Sequence, residues 1–176
     1  FIGRLEELAK RFPENIHVDF TKFSSDKERE VTGYADFFFT GSLFEPSGQN
    51  QMFSQKNGTI PVASAVGGLV DSISHMQNGI LFDVPHGHEG RFYDRDATMV
   101  SALQAVESAV AIFQDKVKLE QMQLNAMNLD HSWATRVQTE LLPLFDFVYQ
   151  NGHQKQTFEE YKKQRSVFAP RCHQVL

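Results

Sequence analysis

Residues 42–73 read SLFEPSGQNQMFSQKNGTIPVASAVGGLVDSI, and this stretch decides the fold. Glu45-Pro46-Ser47-Gly48 is a turn, followed by a helix-length segment that Asn57-Gly58 stops. Gly58-Thr59-Ile60-Pro61-Val62 then enters a strand, and Gly67-Gly68-Leu69 turns out of it. Two strand-to-helix turns therefore lie about twenty residues apart, as they do where an open α/β sheet presents its carboxyl edge to a ligand.

The same alternation continues on both sides. Asp36-Phe37-Phe38-Phe39 is a continuous apolar run of the kind a buried parallel strand shows, and Thr59 to Ala63 and Ile80 to Phe82 read as further strands. Upstream, Leu5, Leu8 and Phe12 fall at helical spacing, and Phe12-Pro13 ends that helix. Alternation from Ile16 to Phe20 predicts a short strand, and Ser24 or Ser25 is placed to cap a helix through about Tyr34. Downstream, Pro85 to Asp96 is polar and loop-like. Met99, Leu103, Val106, Val110 and Phe113 then form an apolar stripe at helical spacing. Leu119, Met122 and Met127 mark a further helix. Trp133 to Tyr149 is another, in which Pro143 predicts a kink or break. Alternating strands and helices predict an α/β fold with a parallel sheet and crossover helices. Residues 1–150 read as one domain. Residues 151–176 read as a polar tail, either a surface helix near Phe158–Gln164 or partly disordered.

Composition narrows the function classes. The 176 residues are 41% hydrophobic and 22% charged, which suits a globular domain with a core. A net charge of −5, with no basic run longer than Lys162-Lys163, argues against nucleic acid as a partner. No uninterrupted apolar run reaches the roughly 18–20 residues that span a bilayer, so no membrane partner is expected. The single cysteine, Cys172, allows no internal disulfide and fits a reducing compartment. The chain opens on Phe1 in mid-helix pattern, as a piece of a longer protein would.

Five ordered blocks carry a family resemblance. They are Tyr34-Ala35-Asp36-Phe37-Phe38, Phe44-Glu45-Pro46-Ser47-Gly48, Gly58-Thr59-Ile60-Pro61-Val62, Gly67-Gly68-Leu69-Val70-Asp71, and Asn125-Ala126-Met127 with Asp130 and Ser132-Trp133. In order and spacing they resemble the donor-sugar half of retaining GT-B glycosyltransferases, most closely the bacterial glycogen synthases and plant starch synthases. The resemblance implies a Rossmann-like parallel sheet with flanking helices, the carboxyl-terminal half of a GT-B enzyme without its first strand-helix unit. It implies glucosyl transfer from a nucleotide sugar, ADP-glucose in that family, to an α-1,4-glucan held by an amino-terminal domain. It implies no cofactor and no metal, a cytoplasmic or plastid location, and no activity for this piece alone. A divergent transferase with another sugar nucleotide or acceptor, and a catalytically silent binding or regulatory domain, are the competing readings.

Within that resemblance Glu45 stands where the family has its donor-sugar carboxylate. Retaining transfer passes through an oxocarbenium-like state, and a carboxylate beside the ring stabilises its positive charge. The plainer alternative is a surface or capping Glu before a proline turn. Ser47, Gly48, Gln49 and Asn50, where loop becomes helix, are expected to present backbone N–H groups to the sugar and diphosphate, unless they form an ordinary capping turn. Ser47 replaces the family's usual Cys and Gln49 its usual Leu. Gly67, Gly68 and Leu69 resemble the family's Thr-Gly-Gly-Leu turn with Val66 in place of Thr, near the diphosphate or serving turn geometry alone. Phe23 stands where the family has a Tyr that stacks on the base, and either base stacking or core packing suits it. Phe53 replaces the second Glu of broader relatives and reads as a core residue or a ligand contact. His86, His88, Glu89, Asp94 and Asp96 crowd one loop and read as solvated residues rather than metal ligands.

Overall fold

The computed structural model describes residues 2–21, 24–87 and 92–151. The chain divides into two compact units, residues 1–127 and 128–176.

The first unit is built on three parallel strands, β1 (Phe37–Thr40), β2 (Ile60–Ser64) and β3 (Ile80–Phe82), in the order β1-β2-β3. Phe37 pairs in register with Ile60, and Val62 with Ile80. All five residues of the central strand β2 are buried, as its uninterrupted small and branched side chains require. Between the strands lie α3 (Asn50–Lys56) and α4 (Gly68–Ser72); before them come α1 (Ile2–Arg11) and α2 (Ser25–Tyr34), after them α5 (Arg95–Gln114) and α6 (Lys116–Met127). Ser24 caps α2 by accepting from the Lys27 N–H, and Asp94 caps α5 by accepting from Asp96 and Ala97. The main apolar core joins Ile60, Val62, Ile80 and Phe82 of the sheet to Ala105, Ala109 and Ile112 of α5 and Leu119 and Met122 of α6. A smaller cluster gathers Ala63, Leu69 and Ile73.

Two expectations fail here. Residues 16–20 alternate but form no strand, because a strand needs a ladder and none of the described strands pairs with them. The segment is instead tied to α2, where Lys27 pairs with Asp19 and, with the Thr21 N–H, holds that carboxyl well below the usual carboxylate range. The second concerns α5. Its apolar stripe ordinarily marks the core face, yet Met99, Leu103, Val106, Val110 and Phe113 are all exposed. The alanine face, Ala105 and Ala109 with Ile112, is the one turned to the sheet, because small side chains let the helix approach closely. At 20 residues, with an 18-residue window of mean hydropathy 1.2, α5 is also long and apolar enough to cross a bilayer; here its alanine face is packed in the core.

In the second unit, α7 (Trp133–Arg136) runs through a π-helical turn (Val137–Leu141) into α8 (Leu142–Asn151). The expected break at Pro143 is a change of hydrogen-bond register just ahead of it: the Leu142 N–H donates to Val137 O, five residues back. Proline has no N–H and crowds the carbonyl four residues before it, and a π turn relieves that crowding without ending the helix. The tail from residue 152 lies outside the described residues.

Candidate active site

The three strands are parallel, so their carboxyl ends share one edge, and the loops leaving β1 and β2 meet there. The β1 loop carries Glu45 to Gln49 into α3; the β2 loop carries Val66-Gly67-Gly68 into α4. A cleft of about 400 Å³ opens at this edge, lined by β1, the loop after it, the start of α3 and Leu69 of α4. Of the residues singled out from sequence, Glu45, Ser47, Gly48, Gln49, Asn50 and Leu69 line it. Glu45 is half-buried, and its Oε2 accepts a long hydrogen bond, 3.4 Å, from Ser42 Oγ. Ser42 is itself fixed, since Ser64 Oγ at the end of β2 donates to Ser42 O at 2.6 Å. One carboxylate oxygen thus has a weak link, through Ser42, to the loop that Ser64 ties to the end of β2, and Glu45 is among the residues lining the cleft.

Gly67 and Gly68 do not line the cleft; they pack against the backbone of Glu45 and Ser47. The Gly68 N–H donates to Glu45 O at 2.9 Å. A Cβ on Gly67 would fall 2.0 Å from Glu45 O, and one on Gly68 2.2 Å from Ser47 O. Gly67 also has φ +46°, a conformation side chains disfavour. The two glycines are therefore required for one loop to lie directly on the other.

Sequence reasoning missed three lining residues: Phe38 and Thr40 on β1, and Gln51 on α3. Thr40 sits at the carboxyl end of a strand already identified and Phe38 two residues before it, so position alone could have flagged Thr40. Gln51 had a subtler signal. Gln51, Ser54 and Gln55 recur at helical spacing and form the buried face of α3. Gln51 donates to Ser72 Oγ at 3.1 Å, and Gln55 donates to Ser72 O at 3.1 Å and Asn78 O at 3.3 Å. The helix face turned inward is polar, and Phe53, read as core or ligand contact, is 49% exposed. Phe23, His88 and Glu89 lie outside the described residues. Among those described, no group of three His, Cys, Asp or Glu side chains is placed to hold a metal ion.

Comparison with known proteins places this geometry. The family model for group 1 glycosyl transferases matches residues 2–89. A glycogen synthase from Kosmotoga olearia is 35% identical over 147 residues, 84% of this chain and 29% of that protein, so the chain spans under a third of its relative's length. Among solved structures, the catalytic domain of starch synthase IV from Arabidopsis thaliana, bound to ADP and acarbose, superposes with a TM-score of 0.60 at 23% identity, covering 84% of this chain and 29% of that one. Anabaena HepE in complex with UDP-glucose superposes at a TM-score of 0.50 and 20% identity, over 78% of this chain and 32% of that one. These likenesses give the GT-B fold. With the family model spanning residues 2–89 of 176 and both glycine turns inside that span, the chain belongs to the group 1 glycosyl transferases.

Proposed function

We propose that this chain forms the sugar-donor wall of a retaining glucosyltransferase that moves glucose from ADP-glucose to an α-1,4-glucan. The observation that carries the reading is the half-buried Glu45, which lies past the carboxyl end of β1 and lines a cleft with Ser47, Gly48, Gln49 and Asn50. In that setting Glu45 orients the sugar hydroxyls and stabilises positive charge developing on the ring. Ser47 to Asn50 bound the same space and are assigned to the sugar and diphosphate. Leu69 closes one side. Phe23 is assigned to the nucleotide base on sequence grounds. The chain covers 29% of the glycogen synthase it resembles, so the glucan acceptor is assigned to the remainder of the parent protein. No cofactor enters; the nucleotide sugar is a substrate.

The test uses the full-length protein containing this chain. Glu45→Ala is expected to lower kcat by roughly a hundredfold or more while the donor KM changes far less, because the contact strengthens in the transition state. Near-normal turnover would remove Glu45 from the mechanism. Assaying ADP-, UDP- and GDP-glucose side by side decides the nucleotide, and a preference for UDP or GDP would favour a divergent transferase.

A further inference from the structure

Among the polar side chains lining the cleft, Gln51 alone is buried, at 1% exposure. Its amide has two N–H groups and uses them in two directions. Nε2 donates to Ser47 O at 3.3 Å, on the cleft loop, and to Ser72 Oγ at 3.1 Å, on α4. Ser72 Oγ in turn donates to Gly68 O at 3.1 Å, and the Gly68 N–H donates to Glu45 O at 2.9 Å. The bonds close a ring: Glu45, Gly68, Ser72, Gln51, Ser47, and back along the chain to Glu45. Gly48 completes the fit. It has φ +73°, and a Cβ there would lie 2.6 Å from Gln51 Oε1, so the loop rests flush on the amide.

We propose that Gln51 is a positioning residue that braces the Glu45–Gly48 loop against α4 and so sets where the Glu45 carboxylate meets the sugar. This rests on the role given to Glu45 above. Gln51 holds the loop by a backbone carbonyl, Ser47 O, and is assigned its effect on Glu45 through that backbone. Ground-state binding of a sugar nucleotide, spread over several groups, should depend little on a shift of a few tenths of an ångström in this loop. The transition-state contact of one carboxylate is far more sensitive to placement.

The experiment compares Gln51→Met, nearly isosteric but without donors, with Ser72→Ala, Ser72→Thr and the double variant Gln51→Met/Ser72→Ala, all in the full-length protein. Two measurements are made: amide hydrogen exchange across residues 45–49, and kcat and KM for the sugar nucleotide. Gln51→Met is expected to speed exchange at 45–49 and lower kcat, each about tenfold, with the donor KM within about twofold. Ser72→Ala should move both in the same direction, Ser72→Thr should restore them, and the double variant should be little worse than either single change. Unchanged exchange in Gln51→Met and Ser72→Ala would overturn the brace. Faster exchange with unchanged kcat, or a raised KM at constant kcat, would overturn positioning. If Gln51→Met does not fold, Ser72→Ala against Ser72→Thr decides alone. A wild-type protein that transfers glucose from no sugar nucleotide overturns the proposed function itself, while the exchange measurement still decides the brace.

Discussion

The first unit has two interiors of opposite chemistry. Between the sheet and α5/α6 the contacts are apolar: Ile60, Val62, Ile80 and Phe82 meet Ala105, Ala109, Ile112 and Met122. Where α3 meets α4 and the turn after it, polar groups are buried as well: Gln51, Ser54, Gln55, Ser72 and Asn78, with α4 also giving Leu69 to the small apolar cluster. Every buried side-chain polar atom among the described residues has a partner. Apolar burial is non-directional and tolerates small shifts, so it suits a scaffold. Hydrogen bonds are steep in distance and angle, so they suit a place where loop positions must be held closely. The cleft lies over the polar interior. Stability and site geometry are thus carried by different chemistry in neighbouring parts of one small unit.

The sharpest way to break this comparison is at the contact between the two loops. Gly67→Ala puts a methyl 2.0 Å from Glu45 O at a φ of +46°, and neither backbone can yield without moving the cleft. We expect a loss of roughly 4 kcal/mol in urea unfolding, together with loss of transfer activity in the full-length protein. Wild-type stability would mean that the loops do not touch as described.

On the apolar side, Ile112→Ala removes a side chain that is 1% exposed and should cost about 3 kcal/mol in the same unfolding measurement. Because the cleft is held by the other interior, kcat per folded molecule should stay near wild type. A fall in kcat matching Glu45→Ala would erase the proposed division of labour. Thr59→Val is smaller and falls on the polar network. The Thr59 hydroxyl contacts Thr32 O and Ala35 O, linking β2 to the end of α2. Losing a buried donor of this kind should cost on the order of 1–2 kcal/mol. The smallest effect belongs to Leu103→Ala, 57% exposed on the outer face of α5, where we expect a change within about 0.5 kcal/mol. A loss as large as that of Ile112→Ala would show the outer face to be covered in solution.

Much of this was legible in the chain itself. The strands at Phe37–Thr40, Ile60–Ser64 and Ile80–Phe82 were marked by apolar runs between glycine and asparagine turns, and the helices between them by caps and stops. Of the residues that the family resemblance and the two turns pointed to, Glu45, Ser47, Gly48, Gln49, Asn50 and Leu69 line one cleft and Gly67 and Gly68 do not. Gln51 escaped because a hydrophobic-pattern reading treats a polar stripe as the solvent face. The stripe on α5 misled for the converse reason: five large apolar residues outweighed two alanines and an isoleucine.

By itself, then, the sequence determined local conformation and the order of elements, since turns, caps and side-chain period act within a few residues of chain. It could not determine which face of a helix turns inward, because burial depends on the surface a helix meets. Ala105 and Ala109 face in because small side chains allow close approach to β3; Gln51 and Gln55 face in because Ser72 and Asn78, more than fifteen residues away in the chain, complete their hydrogen bonds. Residues 16–20 had the pattern of a strand and no neighbour to pair with. Gly67 and Gly68 announced a turn, and only the fold showed that the turn exists to let one loop lie on the carbonyl oxygens of another.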